Sequence, residues 1–253
     1  MNRRLLSLLL MLGAGSTLLA TGCDGKSSSD SEPVVTPTPI DAETAGTIKG
    51  TVKLDGTPPA NLKLPVGGNA ECAALHAGPA FDEAVLVKNG RLQNALVYVK
   101  SGLEQHVFAR ANEPVKIANE RCIYTPRISG ALVNQPIEFV NNDPTAHNIH
   151  GYSTQGDFNF TLLGKGITNA VKLRKPELVL NVKCDLHPWM KGSVGVFANP
   201  FFRVTGEDGT FELKGLPPGE YEIEAWHERF GVKSLKVKLD PKGSAAADFA
   251  FTN

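Results

Sequence analysis

The chain predicts an all-β molecule built of two sandwiches, and three observations carry that prediction. Apolar residues recur with period two in short runs, as where Ile48, Val52 and Leu54 alternate with Lys49, Thr51 and Lys53, the pattern of a half-buried strand. Turn dipeptides punctuate the runs: Asp55-Gly56, Asn89-Gly90, Asp208-Gly209 and Pro218-Gly219 each suit a tight reversal. No stretch sustains a helical period of any length, and a regular series of short strands argues for sandwiches rather than a helical fold.

The 253 residues, 42% hydrophobic and 21% charged, are ordinary globular material for one or two domains. Lys+Arg and Asp+Glu balance at 26 each, so no basic excess is present to neutralise phosphates, which argues against nucleic acid as a partner. Nothing in the chain resembles a Ser-His-Asp set, a phosphate-binding loop or a paired-carboxylate site; the expectation is a protein that is not an enzyme.

Residues 1–22 read as an export signal, with Arg3 and Arg4 ahead of an apolar run and small residues before Cys23. The segment is too short for a convincing membrane span. Ala20-Thr21-Gly22-Cys23 resembles a bacterial lipobox. That likeness implies lipidation of Cys23 and a periplasmic lipoprotein held to the inner or outer membrane by its lipid anchor alone. Residues 23–45, rich in Ser, Asp, Pro and Thr, form a flexible tether.

A strand is expected over 47–54. Residues 57–79, rich in Pro and Gly, are expected to loop around Cys72, and 84–88 with 92–100 are expected to make a hairpin about Asn89-Gly90. Further strands are expected at 115–118, 136–141, 169–173, 178–183 and 192–197. Of the four cysteines, lipid takes Cys23 and export places the others in an oxidising space. Cys72 and Cys122 can pair and leave Cys184 for a metal; other pairings stay open.

The chemistry is concentrated in Cys184-Asp185-Leu186-His187-Pro188-Trp189-Met190. A thiolate, an imidazole and a thioether within seven residues are the soft donors that select copper. Asn141-Asn142-Asp143-Pro144-Thr145-Ala146-His147-Asn148-Ile149-His150 supplies a second imidazole. Two His and one Cys with a weak axial Met make a blue-copper electron-transfer centre. Met190 is the one methionine left after removal of the export signal. His150 competes with His147 as the upstream ligand, but on a strand the two point to opposite faces, so one ion takes one of them. Zinc, or a loop without metal, is the alternative for this set.

These segments resemble the small blue copper proteins, the cupredoxin family, in their amicyanin-like branch. The likeness rests on Cys184-x2-His187-x2-Met190 with Pro188 after the histidine, on His147-Asn148-x-His150 and on Ile123-Tyr124-Thr125-Pro126, which resembles the family's Tyr-x-Thr-Pro entry to the domain, and it covers roughly 114–197. Asp185, Leu186 and Trp189 depart from the family's residues. The resemblance implies a Greek-key sandwich, the copper ligands His147, Cys184, His187 and Met190, and Asn148 as a hydrogen-bonding support for the cysteine loop. It also implies one-electron transfer through the edge of His187, near Pro188 and Trp189, to a c-type cytochrome or a dehydrogenase. Copper trafficking or storage, and a non-redox binding module of the cell envelope, are the competing readings.

The tail, with Thr205-x2-Asp208-Gly209-x-Phe211 and Leu216-x-Pro218-Gly219-x-Tyr221, resembles the carboxypeptidase-regulatory, transthyretin-like family. Gly50-x-Val52-x2-Asp55-Gly56 and the run 94–99 resemble that family's opening strands. One transthyretin-like sandwich built from 46–113 plus 199–253, with a copper domain at 114–198 inserted, is therefore expected; two sequential domains are the alternative.

Overall fold

The computed structural model describes residues 36–253. The export signal, Cys23 and most of the tether lie outside the described residues. In chain order the first strands are β1 (Gly46–Asp55), β2 (Val87–Lys88), β3 (Arg91–Leu92), β4 (Leu96–Ser101), β5 (Val115–Glu120), β6 (Ile123–Thr125), β7 (Ile128–Leu132), β8 (Ile137–Asn141) and β9 (His147–Tyr152). They are followed by β10 (Phe158–Leu162), β11 (Thr168–Val171), β12 (Glu177–Lys183), β13 (Lys191–Phe197), β14 (Phe202–Val204), β15 (Thr210–Leu216), β16 (Gly219–His227), β17 (Gly231–Leu239), β18 (Ser244–Ala246) and β19 (Phe249–Thr252). Among the described residues the chain is all-β apart from a 3-10 turn, Val66–Gly68, and one helix of five residues, α1 (Ala70–Ala74).

The strands form four sheets. One runs β15-β1-β3-β2, with β18 and β19 also on β1, and faces the sheet β14-β4-β16-β17. Their shared core holds Ile48 and Val52 of β1, Val97 and Val99 of β4, Ile223 of β16 and Phe251 of β19. Early and late parts of the chain thus complete one core. The other two sheets, β10-β9-β12-β13-β7 and β11-β8-β5-β6, enclose a second core with Phe139, Ile149, Leu180 and Val194.

Period two works on both faces where the sandwiches meet. On β4, Val97 and Val99 enter the first core while Leu96 and Tyr98 join Ile128 and Phe197 in a third apolar cluster between the sandwiches. Trp226 and Phe202 pack against this cluster. An ionic contact lies beside it: Arg127 donates to both carboxylate oxygens of Glu228, at 2.9 Å through its Nη2, and bonds Asp82 at 2.8 Å.

Three expectations need correction. The run 92–100 is not one strand. Asn94 takes φ 61°, and this left-handed residue separates β3 from β4, which then join different sheets. Residues 57–79 are not simply a loop around Cys72. They include α1, whose N-cap Asn69 accepts a hydrogen bond from Cys72 N–H at 3.0 Å, and Val66, Cys72 and Ala80 pack into the second core. The strands β6, β7 and β10 lie where no strand is expected. The strand that sets His147 and His150 on opposite faces is present as β9, with His147 its first residue.

Candidate metal centre

The site lies between the start of β9 and the turn joining β12 to β13. Asn141, the last residue of β8, folds the first approach: its Nδ2 donates to Thr145 O at 2.8 Å and to Leu162 O at 3.1 Å, while its Oδ1 accepts from Asp143 N–H at 2.9 Å. This turn delivers Asp143 and His147 into the interior, 3% and 0% exposed. On the other side the chain leaves β12, runs from Cys184 to Met190 and enters β13. Cys184 N–H donates to Met190 O at 3.3 Å and Met190 N–H to His187 O at 2.9 Å, so the turn closes on itself.

The two approaches bring His147, Cys184 and His187 together, with a ligand atom from each within 4.8 Å of the others. The two Nδ1 atoms are 3.1 Å apart, and Cys184 Sγ is 3.7 Å from His187 Nδ1. All three residues are buried, Met190 is 1% exposed in the same core, and Cys184 is the free cysteine among the described residues. A thiol and two imidazole nitrogens converging in a buried place fit a soft metal ion, copper above all. They do not form an ordinary apolar core.

The surrounding groups orient these donors. Asn148 N–H donates to Cys184 Sγ at 3.3 Å, and Asn148 Oδ1 accepts from Asp185 N–H at 3.2 Å, tying β9 to the cysteine turn. Tyr124 holds the same residue through Asn148 O at 2.7 Å. Burial pushes the pKa of His147 down, but hydrogen bonds with Asp143 and Cys184 outweigh it and the net shift is upward. For His187, burial dominates, the neighbouring His147 adds to it, and the pKa is lowered. Burial would raise the pKa of Asp143, yet its bonds with His147 and with the Cys122 and Arg121 amides hold it below the usual range.

His150 points away from the cluster, its Nδ1 paired with exposed Asp185 at 3.0 Å. Cys72 and Cys122 form a disulfide, and both sulfurs lie within 4.8 Å of a ring nitrogen of His187. Trp189 donates from Nε1 to Cys122 O at 3.0 Å, and its ring lies 5.2 Å from that of His187. The expected open edge of His187 is therefore covered: the residue is 2% exposed, and its Nε2 meets Asn69 Nδ2 at 3.1 Å. Asp143 and Asn69 are the two site residues that sequence reasoning missed. Asp143 carries a signal, since it is an acid four residues ahead of His147 across a short Pro-containing turn that can fold back on it; Asn69 carries none.

No protein-family model and no curated protein sequence matches the chain. Among solved structures, similarity is found to a copper-containing nitrite reductase from Thermus scotoductus SA-01, at 27% identity and TM-score 0.31. That match covers 37% of this chain and 25% of the reductase, so the chain spans about a quarter of that enzyme's length. A purple cupredoxin from Nitrosopumilus maritimus is similar at 24% identity and TM-score 0.29, over 33% of this chain and 99% of that one. An amicyanin mutant in its Cu(I) form is similar at 16% identity and TM-score 0.31, over 40% and 98%. The structural neighbours are thus cupredoxins, matched over part of the chain, and the site stands on its own side chains.

Proposed function

We propose that this chain is a type 1 copper protein that transfers single electrons through His147, Cys184, His187 and Met190. The observation that carries the reading is the meeting of two imidazoles and the free thiol, all buried, from parts of the chain far apart in sequence. Copper, when bound, supplies the Cu(II)/Cu(I) couple. The protein's part is to hold the donors still and keep water out. Asp143 accepts from His147 Nε2–H and leaves Nδ1 bare to bind. Asn148 N–H stabilises negative charge on Cys184 Sγ. The closed turn from Cys184 to Met190 fixes the spacing of three of the four donors.

The proposal extends to export, lipidation at Cys23 and a periplasmic setting, with a c-type cytochrome or dehydrogenase as partner. Leu186, 54% exposed, and exposed Pro188 are what a partner meets at this end of the molecule. Burial of every donor favours retention of the metal over trafficking, and slow loss of Cu(I) to a competing chelator is expected. Adding Cu(II) to the full chain should produce the intense visible thiolate-to-copper band. Cys184→Ala should abolish the band while the far-UV signature of the β-sheets is unchanged. A colourless wild-type protein overturns the reading.

A further inference from the structure

The expected exit for electrons, the edge of His187, does not reach solvent: the residue is 2% exposed. Asn69, the N-cap of α1, stands 3.1 Å from its Nε2, and both sulfurs of the disulfide lie within 4.8 Å of a ring nitrogen. The cover on that side is an amide and two σ-bonded sulfurs, and neither carries a conjugated path to the surface.

Among the described residues, two rings touch that of His187: His147 and Trp189. His147 is wholly buried and leads further in. Trp189 leads out. Its ring lies 5.2 Å from that of His187 at an interplanar angle of 46°, inside the range of direct aromatic contact. Its Nε1–H donates to Cys122 O at 3.0 Å, which fixes the plane of the indole. The ring is half-buried, and with Phe81, Ile123, Pro126 and Lys191 it lines an open groove of about 220 Å³. Tyr124 bonds Asn148 beside the thiol, but it is 1% exposed and ends in the core.

We propose that Trp189 is the bridge by which an electron passes between His187 and an outside one-electron acceptor that approaches along this groove. Orbital coupling falls off more slowly along contacting π systems than across saturated atoms or a gap, so the indole is the most strongly coupled way out. The electrons balance without chemistry on the protein. One electron crosses, Cu(I) is left as Cu(II), the acceptor is reduced by one, and the indole keeps its own electrons and its Nε1 proton. The inference rests on the copper reading. It adds the door through which that site works, the wall beside β6 and β13 rather than the end formed by Leu186 and Pro188.

The test uses the full chain loaded with copper and reduced, and follows its oxidation by ferricyanide through the return of the visible band. Trp189→Leu is expected to slow that oxidation about tenfold, equal to about 1.4 kcal/mol of barrier. The position of the band and the reduction potential should stay as they are, whereas a merely structural role would move them. Trp189→Phe keeps an aromatic ring and should recover most of the rate. The direction of approach is read separately, with charge. At low salt, Lys191→Glu on the rim of the groove should slow anionic ferricyanide and speed cationic cobalt(III) tris-phenanthroline, changing the ratio of the two rates about tenfold. Lys165→Glu, on the loop whose Gly166 N–H bonds Asn141 O, should leave that ratio alone. An unchanged rate in a coloured Trp189→Leu protein overturns the proposal and spares the copper reading, as does a ratio that moves with Lys165 and not with Lys191. If Trp189→Leu loses its colour, the lysine pair decides alone. A wild type that takes up copper without colour sinks both readings.

Discussion

Asp143 is the carboxylate that orients His147, a ligand in the proposed copper site. It is 3% exposed and gathers the amides of Arg121 at 2.7 Å and Cys122 at 2.8 Å as well as His147 Nε2. Replacing such a partner typically costs about 10–100-fold in metal affinity. Asp143→Asn, which removes the charge and keeps the shape, is expected to weaken Cu(I) binding within that range in a chelator competition; an unchanged affinity would show that His147 is oriented by packing alone. A second buried imidazole carries a different consequence. His227 is fully buried between Phe230 and Phe251, and burial, with Arg127 adding, lowers its pKa to about 4. The unfolded chain takes up this proton near the ordinary histidine value, so the unfolded state binds more protons in between. Stability from the neutral ring is therefore complete above that value and is lost as the pH falls towards about 4, by about 3 kcal/mol in all. Denaturant curves of wild type and His227→Leu should differ by that much more at pH 7 than at pH 4, because only the wild type carries the slope.

Among the elements, β1 bears the most connections. It pairs antiparallel with β15, parallel with β18 through Thr47, Ile48 and Lys49, and parallel with β19 from Val52 onward. Between β18 and β19 the returning chain passes so close that a Cβ at Gly50 would lie 2.0 Å from Ala247 O. Backbone cannot yield as a side-chain end does, so Gly50→Ala is expected to destabilise the protein by about 3 kcal/mol, read as a drop in the urea midpoint. That glycine was legible because it belongs to a turn-and-strand signature, as were the soft donors, whose residue types and spacing mean little except near a metal. Less was legible where the outcome depends on partners distant in sequence. Asn94 interrupts the run from Leu92 to Val99 by taking a left-handed conformation, one that asparagine visits more readily than most residues, but residue type alone does not say which asparagine will take it. β9 reads as polar, His-Asn-Ile-His-Gly-Tyr, and becomes a strand because β10 and β12 pair with it on either side. Asn69 looks like any loop asparagine until the disulfide carries it to His187.

At the scale of the whole molecule, the question is whether the two cores unfold together. The disulfide closes a separation of 50 residues and stabilises the segment over the site by roughly 2–4 kcal/mol, but both its cysteines pack in the second core and it does little to couple the sandwiches. Coupling falls to Arg127 and to the cluster of Leu96, Tyr98, Ile128 and Phe197. Arg127→Ala strands Glu228 and Asp82 in a partly buried boundary, and a loss of about 3 kcal/mol is expected. The apolar cluster survives that change, so a single unfolding transition should remain. Gly195 tests the cluster itself. It lies on β13 where a Cβ would stand 2.5 Å from Leu96 Cδ2 and 2.6 Å from the Phe197 ring, and a larger side chain there must displace these two members of the cluster. Gly195→Val should therefore divide thermal unfolding into two calorimetric transitions, with the copper band lost in one and the rest of the sheet signal in the other. A single transition that merely moves to lower temperature would show that the sandwiches are coupled through contacts other than this cluster.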